Sequence, residues 1–124
     1  ILALAALKLG AKAAIGVDND PQALLASQNN ADRNGVGQEL QVFLPDSEPH
    51  ARYPVVVANI LAVALISLVA TLAERTQPGG VIALSGILKG QEPEVLSAFS
   101  PFFDNLSVTR MDDWIRIDGI RRSA

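Results

Sequence analysis

The feature that most constrains the fold is residues 14–21 (AIGVDNDP), where a short apolar run stops at an acidic cluster and a proline. The run lacks polar alternation, as expected for a parallel strand that is covered on both faces. Asp20 and Pro21 then suit a helix start, because aspartate accepts from first-turn amides and proline needs no donor at the first helical position. We predict a buried strand over residues 12–18 that leads directly into a helix.

Asp18 lies at the carboxyl end of this predicted strand, which is where open α/β sheets bind ligands. A carboxylate there can accept hydrogen bonds from two vicinal ribose hydroxyls. The same residue also suits a plain turn, since aspartate hydrogen-bonds its own backbone two residues on. Both roles stay open for Asp18 at this point, whereas the cap is the favoured role for Asp20.

The rest of the chain alternates between helix and strand patterns. In chain order we predict a helix (1–9), a strand (12–18), a helix (20–34), a strand near a sheet edge (39–44), a central strand (53–59), a long helix (60–76), a buried strand (81–85), a short helix (92–99) and an antiparallel pair (106–110 and 114–121). Such alternation indicates right-handed crossovers and a doubly wound, mostly parallel α/β sheet. With 124 residues, we expect a single domain over residues 1–124.

Composition argues against several kinds of site. A net charge of −3 does not favour binding of the chain as a whole to nucleic acid or to an anionic membrane. The sequence has no cysteine, and its single histidine, His50, lies in a proline-punctuated loop without a nearby serine or second histidine. We therefore predict no disulfide, no metal site and no histidine-based triad.

The apolar start, residues 1–7 (ILALAAL), fits neither a signal peptide nor a membrane span. A signal peptide needs a basic start, and a span needs about 20 apolar residues, whereas Lys8 and Gly10 end this run early. The run resembles the interior of a helix whose beginning is missing. We expect a fragment of a longer, cytoplasmic protein.

Polar residues end three of the predicted parallel strands: Asp18, Asn59 and, less specifically, Ser85. Because the carboxyl ends of parallel strands face one crevice, a ligand there can touch Asp18 with a sugar and Asn59 with its reacting end. Asn59 also suits the cap of the helix predicted from residue 60. The long apolar strand before it favours the ligand crevice over the cap.

Several separated blocks are similar to the class I S-adenosylmethionine-dependent methyltransferases, and more closely to the bacterial methyltransferases of ribosomal protein L11. The blocks occur in the family's order along nearly the whole chain. They are residues 14–23 (AIGVDNDPQA), 29–36 (NNADRNGV), 55–62 (VVVANILA) and 84–88 (LSGIL), and residues 113–119 (DWIRIDG) resemble the family's last strand.

The resemblance implies a Rossmann-like domain that moves methyl groups from S-adenosylmethionine to lysine and N-terminal amines of a ribosomal protein. Asp18 matches the acidic residue that holds the cofactor ribose. Asn59 matches the residue beside the methionine portion and the incoming amine, so it is the candidate catalytic residue as well as a cofactor contact. Asp46 falls near where related enzymes contact adenine, although a loop aspartate also suits a turn.

The family's first strand, glycine-rich loop and N-terminal recognition domain have no counterpart in this sequence, so we expect this chain alone to be inactive. For the intact protein we expect a monomer that needs no nucleic acid or membrane partner. Three alternatives remain open. They are a fragment of a nicotinamide-dependent oxidoreductase, a methyltransferase for another protein or a small-molecule amine, and a non-catalytic piece of the fold.

Overall fold

The computed structural model describes residues 13–18 and 20–123. In chain order its elements are β1 (Ala14–Val17), α1 (Pro21–Arg33), β2 (Leu40–Phe43), a 3-10 helix (Pro45–Ser47), β3 (Tyr53–Asn59), α2 (Ala62–Ser67), α3 (Val69–Arg75), β4 (Thr76–Leu88), α4 (Glu92–Phe99), β5 (Phe103–Met111) and β6 (Trp114–Arg121). The helix predicted at residues 1–9 lies outside the described residues. Within those residues, no helix is long and apolar enough to cross a membrane.

The strands form two sheets. β1 and β2 pair in parallel, and the second sheet has the order β3-β4-β6-β5. In that second sheet β3 and β4 are parallel, whereas β6 runs antiparallel to both β4 and β5. The predicted mixture of parallel strands and a C-terminal antiparallel pair is confirmed. The chain divides into two compact units, Ile1–Pro49 and His50–Ala124.

In the first unit, α1 begins where its local sequence predicts. The Asp20 side chain accepts a hydrogen bond from the Gln22 amide at 3.0 Å, and Pro21 occupies the first helical position. The helix ends at Arg33 with Asn34 as its C-cap, and Gly35 follows with φ +74°. Both ends follow from chemistry within one turn of the helix.

The prediction that β1 is fully covered is wrong. Residues 14–16 are only partly buried, and Val17 is 50% exposed. The described part of this unit has few buried apolar residues, of which Ala31 and Leu40 are the fully buried ones. Among the described strands β1 pairs with β2 alone, so these strands supply little apolar surface to cover it.

The second unit packs α2, α3 and α4 against one face of its four-stranded sheet. Phe99 of α4 and Phe103 of β5 lie at the centre, with ring centroids 5.9 Å apart. The remaining buried members are Ala62, Leu65, Ala73, Ile82, Leu84, Ile87, Val95, Ile115 and Ile117. Because side chains alternate along a strand, the neighbours of these buried strand residues point to the opposite face.

β3 is not a central strand in this sheet, contrary to the prediction. Among the described strands it is hydrogen-bonded to β4 only, and it forms one edge of the sheet. Val55 and Val57, on the face away from the core, are 59% and 49% exposed. A β-branched run predicts a strand well, but it does not determine whether a second neighbour is present.

The single helix predicted over residues 60–76 is also wrong, because the structure has two helices separated at Leu68. The Ser67 hydroxyl donates to the Ala64 carbonyl at 2.9 Å, a back-bond of the kind that bends helices. At the end of α3, the Thr76 hydroxyl donates to the Leu72 carbonyl, and the Arg121 guanidinium donates to the Ala73 carbonyl. These donors satisfy terminal carbonyls and allow the chain to leave the helix at residue 76.

β4 is longer than the strand predicted at residues 81–85. Thr76 already pairs with Tyr53, and the ladder resumes with Val81 opposite Val55. The proline and glycines between them bulge out of the ladder, and Gly79 has φ +79°. The short helix at residues 92–99 and the C-terminal strand pair are confirmed.

Candidate functional site

Asp18 follows β1 directly and is exposed. Its backbone amide donates to the Phe43 carbonyl at 3.2 Å, which continues the ladder between β1 and β2. One of its carboxylate oxygens, Oδ1, accepts from the Asp20 amide at 2.9 Å. The turn role considered for Asp18 is therefore real, and it leaves Oδ2 available at an exposed strand end. One side chain can both shape the turn and receive a hydroxyl donor.

Asp46 lies in the 3-10 helix that follows β2 and is exposed. Because β1 and β2 are parallel, with Val17 opposite Phe43, Asp18 and Asp46 belong to the same end of this small sheet. The first unit also has a shallow depression of about 260 Å³, lined by Asp32, Gly35, Gly37, Gln38 and Glu39. That depression precedes β2 and so lies at the opposite strand end from Asp18.

Asn59 ends β3 and is exposed. The following helix, α2, begins at Ala62, and Leu61 occupies its N-cap position without a side-chain cap bond. The alternative role of Asn59 as a helix cap is therefore wrong. Its side chain is not used to begin the helix and is free for another purpose.

Gly86 of β4 lies directly against the turn after Asn59. It has φ +84°, and a Cβ built on it falls 2.5 Å from the Ile60 carbonyl oxygen and 3.0 Å from Asn59 Oδ1. Since both oxygens lie this close to the same Cβ position, the distance between the Ile60 carbonyl oxygen and Asn59 Oδ1 is at most about 5.5 Å. The structure thus places two hydrogen-bond acceptors side by side at the end of β3, a pair we call the acceptor pair.

Gly86 is the site residue that the sequence reasoning missed. Its signal was a glycine directly after the strand predicted at residues 81–85, and such a glycine often marks close approach of another backbone. Ser85, one residue earlier, pairs in register with Asn59, so these two residues lie side by side as predicted, although β4 continues beyond Ser85 to Leu88. Asp18 belongs to the other unit, and its convergence with Asn59 stays a prediction.

One carboxylate near the same sheet end has a shifted pKa. Hydrogen bonds from the backbone amides of Glu92 itself and Gly90, with the charges of Arg110 and Lys89, hold the pKa of Glu92 below 4.5, although burial opposes this. Glu92 Oε1 accepts from the Gly90 amide at 2.6 Å, and Oε2 lies 3.6 Å from the Arg110 guanidinium. An ionised Glu92 thus anchors the loop between β4 and α4. Among the described residues, no cluster of acidic or histidine side chains is placed to hold a metal.

Comparison with solved structures defines the class of protein. A ribosomal protein L11 methylase from Lactobacillus delbrueckii subsp. bulgaricus superposes with a TM-score of 0.85 at 29% identity, covering 98% of this chain and 64% of that one. An RNA methyltransferase from Salinibacter ruber, in complex with S-adenosyl-L-homocysteine, gives a TM-score of 0.77 at 13% identity over 99% of this chain and 74% of that one. The chain has a methyltransferase fold.

Sequence comparison then gives the family. Residues 1–122 match the family described as ribosomal protein L11 methyltransferase (PrmA), and the chain belongs to it. The L11 methyltransferases of Xanthomonas euvesicatoria pv. vesicatoria and Stenotrophomonas maltophilia strain R551-3 are both 62% identical, over 98% and 99% of the chain. The predicted resemblance is confirmed. The chain spans 40% of the length of each of these relatives.

Proposed function

We propose that this chain forms part of an enzyme that transfers methyl groups from S-adenosylmethionine to lysine and N-terminal amines of ribosomal protein L11. The match to the L11 methyltransferase family over residues 1–122 is the observation that carries the proposal. We propose the cytoplasm as its location and a monomer as the intact state. The nicotinamide-dependent alternative has no support from the matched family or from the neighbouring folds.

The residues present fit the proposed cofactor. S-adenosylmethionine supplies an electrophilic methyl group on a sulfonium. We propose that Asp18 receives the ribose hydroxyls, because it is exposed at a strand end and one of its oxygens is not used by the turn. Asp46, at the same end of the β1–β2 sheet, is proposed to contact the adenine. Asn59 is proposed to lie beside the methionine portion.

The acceptor pair suits the other reactant, the amine. A lysine ammonium has a pKa of about 10.4 and must lose a proton before its nitrogen can attack. Asn59 Oδ1 and the Ile60 carbonyl oxygen accept hydrogen bonds and donate none, so together they orient the N–H groups of a neutral amine. The same oxygens stabilise the positive charge that develops on nitrogen during the transfer. The ammonium proton passes to solvent water before the attack, so alignment and polar acceptors are then sufficient, without a strong general base.

The test requires a full-length protein. We define the carrier enzyme as the Xanthomonas relative in which residues 1–122 of this chain replace the matching segment. With L11 as acceptor, we expect Asn59→Ala to lower kcat by about 100-fold, the size of effect seen when one polar group at a reacting centre is removed. Asn59→Asp keeps an oxygen at this position and is expected to recover part of the rate.

Ser85→Ala is the matched control, because Ser85 pairs in register with Asn59. It is expected to leave kcat within about twofold, as is usual for a substitution away from reacting groups. Cofactor affinity is measured separately by calorimetry. Wild-type kcat and cofactor affinity in Asn59→Ala would remove the proposed role of Asn59, whereas a carrier enzyme that methylates no L11 would remove the proposed function.

A further inference from the structure

Three large apolar side chains are exposed together at the tip of the β5–β6 hairpin and the adjacent end of β4. Leu88 is 44% exposed, Met111 76% and Trp114 56%. Trp114 pairs with Leu88 on one side and with Met111 on the other, so all three share one face of the sheet. Met111 and Trp114 are the only methionine and tryptophan in the sequence. We call these three residues, with the turn residues Asp112 and Asp113, the hairpin-tip patch.

The patch is separate from the other apolar residues on this face. Arg116 and Asp118 follow Trp114 on the same face of β6 and form an ion pair at 3.2 Å. Their partners on β5, Thr109 and Ser107, are polar and exposed. This polar belt lies between the patch and Ile120, so the patch is not the edge of a continuous apolar layer. An isolated group of exposed apolar side chains with a polar border is typical of a binding surface.

The patch lies at the same end of the sheet as the acceptor pair. Asn59 and Ser85 are opposite each other where β3 ends, and β4 continues in the same direction to Leu88. Three residues of strand correspond to roughly 10 Å. A protein whose amine reached Asn59 would therefore pass close to the hairpin-tip patch.

Charge at the patch favours a cationic partner. Asp112 and Asp113 form the two-residue turn between β5 and β6, and both are exposed. The nearby Arg110 guanidinium faces the Glu92 carboxylate, which offsets its charge. The single positive charge of Lys89 balances the negative charge of only one of the two turn carboxylates. Its backbone amide also donates to the Asp113 carbonyl at 2.8 Å, which holds the turn in place.

We propose that the hairpin-tip patch docks the protein acceptor, through a segment that carries apolar and basic side chains near the amine to be methylated. The inference rests on the proposed methyl transfer to a protein. Trp114 offers a broad apolar surface whose ring face attracts a lysine or arginine cation. Met111 adapts its shape to a partner, and the turn carboxylates attract basic groups.

The test measures steady-state methylation of L11 by the carrier enzyme. We expect Trp114→Ala and Met111→Ala each to raise the KM for L11 by about tenfold, the loss typical of an interface residue that contributes strongly. The kcat at saturating L11 and the affinity for S-adenosylmethionine are expected to remain unchanged. Asp112→Asn keeps a residue that tolerates the positive φ of 54° at this position. It is expected to raise the KM for L11 less than Trp114→Ala does, and to make that KM less dependent on salt concentration.

Ile120→Ala is the matched control, since Ile120 lies on the same face of β6 and is 39% exposed, but beyond the polar belt. Its KM for L11 is expected to equal that of the unsubstituted enzyme. If the unsubstituted enzyme methylates L11 and Trp114→Ala leaves KM unchanged, the docking inference is overturned. It is equally overturned if these variants weaken cofactor binding instead, or if light scattering shows that they dissociate a dimer. Failure of the unsubstituted enzyme to methylate L11 removes the proposed function itself.

Discussion

Gly86 links the stability of the second unit to the geometry of the acceptor pair. An alanine at this position brings its Cβ to 2.5 Å from the Ile60 carbonyl oxygen, where ordinary contact begins at 3.4 Å. The carbonyl must therefore retreat by about 0.9 Å, or the β4 backbone must shift, because the Ile60 carbonyl is backbone and not the end of a flexible side chain. Either movement displaces the acceptor pair.

Two separate costs apply to Gly86→Ala. The first is the left-handed backbone, with φ +84°, which costs a residue with a Cβ about 1–2 kcal/mol. The second is the forced shift at the Ile60 carbonyl, about 1–3 kcal/mol. The expected loss in the free energy of unfolding is about 2–5 kcal/mol.

Gly90→Ala provides the matched control. Gly90 has φ +100°, but a Cβ built there has no heavy atom within 4 Å, so only the backbone cost of about 1–2 kcal/mol applies. Urea unfolding of this chain can be followed by the fluorescence of Trp114, its only tryptophan. In the carrier enzyme we expect Gly86→Ala to reduce kcat and Gly90→Ala to leave it unchanged. Equal losses of stability and equal kcat values in the two variants would refute the close approach of Ile60 to Gly86.

Two further predictions concern single carboxylates. Asp18→Asn keeps an oxygen for the Asp20 amide but removes the charge, so its stability is expected to be unchanged. We expect calorimetry on the carrier enzyme to show about tenfold weaker cofactor binding, as for the loss of one charge-assisted hydrogen bond. Asp20→Ala is the control, because it removes a helix cap and is expected to lose about 1 kcal/mol of stability but no cofactor affinity. Because the pKa of Glu92 is lower in the folded chain, the stability it contributes is present above pH 4.5 and is lost as pH falls through the folded pKa. Urea unfolding from pH 7 to pH 3 should therefore show that Glu92→Gln has a lower free energy of unfolding than the unsubstituted chain, and that this difference shrinks below pH 4.5. A difference that stays constant with pH would show that the charge of Glu92 is not its cause.

Elements whose ends depend on local chemistry could be predicted from the sequence. Asp20 and Pro21 begin α1 because both act within the first turn, and Gly35 follows its end because a left-handed residue is needed there. The antiparallel pair at the C-terminus was predicted for the same reason, since alternating side chains surround a short acidic turn. These signals do not depend on where the rest of the chain lies.

The errors concern contacts between residues far apart in the sequence. The start of α2 at Ala62 could not be predicted, because Ile60 lies in a bend and Leu61 is extended where the Ile60 carbonyl packs against Gly86 of another strand. The edge position of β3 depends on which strands are present to pair with it. The exposure of β1 depends on the amount of apolar surface in its own unit. None of these determinants appears in a local pattern.

For the candidate site, the residue types and their positions at strand ends could be predicted from the sequence, but the arrangement of their atoms could not. Asn59 was predicted at the end of a strand, and the structure adds the neighbouring Ile60 oxygen that makes it part of a pair. The two roles considered for Asp18 are not exclusive, because the turn uses one oxygen of the carboxylate. The meeting of Asp18 with Asn59 remains to be tested.

The described parts of the two units have cores of unequal size, and this difference has a consequence for ligand affinity. Two fully buried apolar residues support the described part of the first unit, whereas eleven support the second. A segment with so few buried contacts opens locally at low free-energy cost, so its amides exchange with solvent faster than those of a well-packed sheet. Asp18 and Asp46 lie in this described part of the first unit. If they hold a nucleoside, the measured dissociation constant includes the free energy of closing β1 and β2, and any substitution that stiffens α1 tightens binding without touching the ligand.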